Sequence, residues 1–148
     1  MAGRTRGAQE ADIERLAMAM PHVVREDGSG GNAVFSVGGK SFIFFRNPRP
    51  DAVDPDTGER YTDVVAIWTQ TLEDKESLVQ DPDLPFFTTP HFNGYRAVLL
   101  RTSRMAELPL DVLAETIEDA WLARASVTRR KRWLAAHPGT PAASSQNS

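Results

Sequence analysis

The sequence predicts a single α+β domain, a twisted antiparallel sheet with helices packed on one face. Two stretches, residues 34–45 and 86–102, read as strand–turn–strand units, the first around Gly38-Gly39 and the second around Pro90 and Gly94. Other segments repeat apolar residues at helical spacing. Hairpin-joined strands with helices inserted between them suggest a sheet covered by helices.

Residues 1–7 read as a flexible arm ahead of a domain spanning 8–137. Ile13, Leu16, Ala17 and Met20 recur at i, i+3, i+4 and i+7, which predicts an amphipathic helix over 8–19 that Pro21 stops. A short strand follows at 23–26, then a glycine turn from Gly28. Residues 32–37 alternate apolar side chains at Ala33, Phe35 and Val37. Gly38-Gly39 suits a two-residue turn that needs positive φ twice, and the return arm runs over 40–46. Phe42 to Phe45 is a continuous apolar run, expected to be buried on both faces or to leave an apolar edge exposed.

Residues 47–63 are polar, hold Pro48, Pro50, Pro55 and Gly58, and read as a long loop. A strand is predicted over 64–69. Thr71 caps a helix over 72–80, with Asp74 at its third position, and Asp81-Pro82 ends it. After the 86–102 hairpin, Pro109 opens the strongest helix. Its apolar face is Leu110, Leu113, Ile117, Ala120 and Trp121, and it bends near Ser126 into a basic turn through Trp133 and Leu134. Residues 138–148 have the composition of a disordered tail.

The 148 residues suit one domain and a core that needs no disulfide or metal. The chain has no cysteine, which excludes a disulfide framework and thiolate metal sites and fits a reducing compartment. No apolar run approaches ~18 residues, so no membrane span is expected. The opening Met1-Ala-Gly-Arg-Thr-Arg has no apolar core behind it, so it does not read as a secretory signal. A cytoplasmic location is the expectation. A net charge of −3 excludes binding nucleic acid through the overall field, but it leaves room for a local basic patch.

The residues now resemble a known family. Pro21 closing the first helix, Val37-Gly-Gly-Lys40-Ser-Phe42, and Thr89-Pro-His91-Phe-Asn-Gly94-Tyr95 followed by Val98 and Arg101 look like the MmcQ/YjbR family. Glu118-Asp-Ala-Trp121 and the basic end near Lys131-Arg132 sit where that family has them, and the match covers roughly residues 10–134. The resemblance implies a frataxin-like or secretion-chaperone-like fold and a DNA-binding label of the double-wing type. The long 47–63 loop and the polar tail depart from the compact family pattern.

The clearest positive cluster is Arg124, Arg129, Arg130, Lys131 and Arg132, with no acidic residue between Arg124 and the end of the chain. Four phosphate contacts would give a log–log salt slope of ~−3.6. The bland reading is a solvated basic turn that complements the helix dipole. Lys40 follows the hairpin turn, and Arg46 and Arg49 follow the second arm. A wing with a basic tip can lie along phosphates, and an edge lysine can equally guard against strand-to-strand aggregation.

No catalytic set is visible. Gly39-Lys40-Ser41 echoes a phosphate-binding loop, but a strand follows where that loop needs a helix. His91 has no local partner for base catalysis, and the three histidines are too scattered for a metal triad. Asp54-Pro-Asp56-Thr-Gly58 lacks the closing glutamate of a calcium loop. Asp111, Glu115, Glu118 and Asp119 read as a solvated acidic helix face. The expectation is therefore a protein that is not an enzyme, with no cofactor or metal, binding duplex DNA through Lys40, Arg46, Arg124, Arg129, Arg130, Lys131 and Arg132. The alternative is a protein-interaction module using the sheet face or the last helix.

Overall fold

In the computed structural model, five strands pair with their sequence neighbours in the order β1-β2-β3-β4-β5, all antiparallel. They are β1 (Val23–Asp27), β2 (Ala33–Val37), β3 (Lys40–Arg46), β4 (Val64–Trp68) and β5 (Ala97–Arg101). The structure describes residues 6–28, 32–46, 56–59, 63–89 and 94–137, with the side chain of Arg46 left out. Most of the expected 47–63 loop, the Pro90–His91 turn and the expected tail fall outside those residues.

Among the described residues four α-helices accompany the sheet, α1 (Glu10–Met18), α2 (Leu72–Gln80), α3 (Leu110–Arg124) and α4 (Val127–Ala136), and a 3-10 helix, Thr102–Glu107, joins β5 to α3. The domain is α+β, as its sequence predicts. Helix α3 lies on β3 and β4, and α1 packs between α3 and β1. Ile13, Phe35, Ile43, Ile67, Leu100, Leu113, Ile117 and Trp121 fill the layer between helices and sheet, each at most 1% exposed. A smaller group on the opposite sheet face joins Val64, Ala66, Ala97 and Leu99 to Phe44 and Phe87.

The apolar run in β3 has a specific cause. Phe35 pairs with Ile43 but Ser36 pairs with Ser41, so Phe42 is an extra residue at a β-bulge. The bulge breaks strict alternation and lets Phe42 and Ile43 both enter the helix-side core. Phe44 then joins the opposite face. The turn before it holds Gly38 at φ 60° and Gly39 at φ 82°, the two positive values that a type I′ turn requires.

Three local readings differ from expectation. In the expected 86–102 hairpin, Phe87 makes an isolated bridge to Leu99 in place of a full first strand, and the second strand begins at Ala97. Prolines at 85 and 90 remove ladder donors on both sides of Phe87, which limits that arm. The long last helix is two helices, because Ala125 and Ser126 both adopt extended ψ values of 152° and 159°. Finally, two residues of the expected N-terminal arm, Arg6 and Gly7, are docked: Leu110 N–H donates to Arg6 O at 2.9 Å, and Gly7 makes an isolated bridge to Pro109. Gly7 lies so close to this segment that a Cβ there would collide with the Ala106 carbonyl oxygen.

Buried Asp12 holds the start of α1. It receives both nitrogens of Arg6 at 2.9 Å, the Gln9 N–H at 2.8 Å and Arg15 at 3.0 Å. The Arg6 hydrogen bonds, opposed in part by burial, hold its carboxyl well below the usual carboxylate range. Helix α2 starts as predicted, with Thr71 Oγ1 accepting from Asp74 N–H at 3.0 Å. Its buried Lys75 donates to Tyr95 O at 2.6 Å and ties α2 to the entry of β5, and burial lowers its pKa.

Candidate nucleic-acid interface

The β2–β3 turn and the α3–α4 junction meet at one end of the domain. Ser126 caps α4, its Oγ accepting from Arg129 N–H at 3.2 Å. One turn further on, Trp133 is buried and its ring lies 6.2 Å from that of Trp121. His137 stacks on Trp133 with centroids 4.1 Å apart and 14° between planes. These contacts fix the roll of α4. They leave Lys131 and Arg132 exposed and Arg129 and Arg130 half-buried.

Arg129 is four residues before Trp133 and so shares its inward side. Its guanidinium occupies the space beside Gly38, where an added Cβ would stand 2.6 Å from Nη1. The basic helix is thereby set against the glycine turn that precedes exposed Lys40. The structure thus brings Arg129 and the Lys40 turn together. Arg46 ends β3 opposite Val64, at the far end of that strand from the turn, and its side chain is outside the description.

Arg124 has a different setting. It is half-buried at the end of α3, its Nε donates to Ser41 O at 3.0 Å, and its guanidinium lies 4.1 Å from the centre of the Trp68 ring. Burial, followed by the nearby Arg96, lowers its pKa. Arg96 also approaches Trp68, at 6.0 Å, and donates to Gln70 O at 3.1 Å. Trp68 is the last residue of β4. Its half-buried position beside two arginines had no signal in strand alternation, because the partners come from α3 and from the entry to β5.

On the other side of Gln70, its Nε2 donates to Asp119 Oδ1 at 3.3 Å. Trp68, Gln70, Asp74, Glu115 and Asp119 line a cleft of about 180 Å³ between α2 and α3. Burial raises the Asp119 carboxyl to about 6, with Asp74, Glu115 and Glu118 adding to the rise and Gln70 opposing it. Glu118 is raised as well, by burial first. Among the described residues no group of three or more histidines and carboxylates is placed to hold a metal ion. No helix is long and apolar enough to cross a membrane, again among those residues.

Fold and surface together define a small α+β domain with a basic hairpin–helix end. The YjbR family profile matches residues 18–123, and the chain belongs to that family, also written MmcQ/YjbR. Similar proteins include an uncharacterized protein of Mycobacterium bovis and one from each of two Mycobacterium tuberculosis strains, CDC 1551 and H37Rv. Each is 41% identical over 63 residues, which is 43% of this chain. The chain matches 46% of the length of these curated relatives.

Proposed function

We propose that this protein is a non-catalytic, cytoplasmic DNA-binding protein that grips the phosphates of a duplex with its hairpin wing and α4. The observation that supports this most is the seating of Arg129 against Gly38, which joins the basic helix to the Lys40 turn. Lys40, Arg129, Arg130, Lys131 and Arg132 then supply cations at one end of a chain whose net charge is −3. Binding of this kind neutralises phosphate and has weak sequence preference.

Fluorescence anisotropy with labelled random duplex DNA tests the proposal. Micromolar binding that weakens steeply with salt is expected, with a slope near −3.6 for about four phosphate contacts. Joint replacement of Arg129, Arg130 and Arg132 by Ala should lower affinity evenly across sequences and flatten the slope. Absence of binding at low salt overturns the reading. It would favour the alternative, a protein-interaction module, for which exposed Val24 on β1 offers an apolar point of contact. Phe42 and Ile43 are buried and take no part in such a surface.

A further inference from the structure

We propose that Arg124 is a positioning residue, which sets the hairpin against the body of the domain and leaves phosphate contact to its basic neighbours. The inference rests on the DNA-binding reading for its functional consequence, and on geometry alone for its structural part.

Three features single out Arg124 from the other cations of the cluster. Its Nε is directed at the backbone of Ser41, the residue after Lys40, at 3.0 Å. The face of its guanidinium is taken by Trp68 at 4.1 Å. The Phe42 bulge begins directly after Ser41, so the bonded carbonyl stands where regular pairing between β2 and β3 is interrupted. An arginine can hold a carbonyl and an aromatic face together because its guanidinium is planar and rigid, whereas a lysine ammonium is a compact point charge.

The seat continues inward. Trp68 ends β4, and the adjoining Gln70 accepts from Arg96 and donates to Asp119. Arg124 therefore connects the hairpin backbone to the junction where β4, α2 and α3 meet. The Arg129 guanidinium lies beside Gly38 at the tip of the same hairpin. A hydrogen bond at Ser41 and a close neighbour at Gly38 both limit how far this arm can swing. Lys40 lies between them in sequence, and its presentation depends on both.

Two measurements on the full chain test this. The first is hydrogen exchange of the β2–β3 amides without DNA. Arg124→Lys keeps the charge and much of the stem but loses the planar stack and the Nε donor. Exchange in the hairpin should quicken by about fivefold, the effect of losing one ordinary hydrogen bond. Exchange in β4 and β5 should stay as in the parent protein, and tryptophan fluorescence should shift as the cation leaves Trp68. Unchanged hairpin exchange overturns the inference.

The second is the salt dependence of duplex binding. A positioning role predicts that Arg124→Gln weakens binding with its slope unchanged, and that Arg124→Lys does not restore affinity. A phosphate contact predicts the reverse: the slope falls by about 0.9 in Arg124→Gln and lysine rescues binding. That second pattern overturns the inference while leaving the DNA-binding reading intact. If the parent protein binds no DNA, the DNA-binding reading fails, and hairpin exchange still decides what Arg124 does.

Discussion

The indole N–H of Trp121 donates to the carbonyl of Pro21 at 3.0 Å, joining residues one hundred positions apart. Pro21 lies in the connection from α1 to β1, and next to it His22 takes a positive φ of 62°. The bond thus holds a strained corner to the largest fully buried side chain of α3. Trp121→Phe removes the donor and leaves both a small cavity and an unpaired carbonyl. A loss of about 2–3 kcal/mol is expected, measured by urea denaturation. A change below about 0.5 kcal/mol would show that the corner is held by other contacts.

Gly38 and Gly39 share a positive φ but differ in surroundings. A side chain at Gly38 meets the Arg129 guanidinium, while nothing lies within 4 Å of a Cβ at Gly39. Gly38→Ala should therefore cost more than Gly39→Asn, because Asn tolerates the left-handed region and finds open space. Differences of about 1 kcal/mol between the two variants are expected from thermal melts analysed at a common temperature.

Asp12 makes stability depend on acid pH. Its folded-state pKa is depressed, so its contribution is present above the unfolded value of 3.8 and is lost as pH falls through the folded value. Asp12→Asn should lower Tm by about 3–6 °C at pH 7 and by much less near pH 2. Equal loss at both pH values would show that shape rather than charge at this position holds α1.

Asp119 acts with the opposite sign. Its folded pKa is raised to about 6 from 3.8, so the associated stability is fully present below pH 3.8 and is lost as pH rises through 6. Asp119→Asn keeps an acceptor for Gln70 and removes the buried charge. The variant should be more stable than the parent by roughly 1–2 kcal/mol at pH 7.5 and nearly equal to it at pH 4, by denaturant titration at each pH. A variant that is less stable at pH 7.5 would mean that the carboxylate has a cationic partner in solution.

Much of the architecture was legible. The α2 boundaries follow from Thr71 and Asp81-Pro82, and the first hairpin from its two glycines, because caps and tight turns depend on a few adjacent residues. The place of the bend near Ser126 was legible too, but not that a second full helix follows it. The candidate surface was legible only as a list of cations. Arg124 and Arg129 look alike in sequence, yet one is bonded to Ser41 O and the other lies beside Gly38. Those assignments depend on how α3 crosses the sheet and how Trp133 rolls α4, which no local pattern encodes. The docking of Arg6 and Gly7 has no local sequence signal for the same reason: its partners are Asp12 and the segment before α3.

The packing of α1 against α3 also bears on how the chain assembles during synthesis. The hairpins can pair strand by strand as they leave the ribosome, each with a neighbour just made. Helix α1 is translated first, but Leu113, Ile117 and Trp121 arrive only after the whole sheet. Until then Ile13 and Ala17 lack the helix that covers them. The earliest helix of the chain is thus among the last parts to find its place.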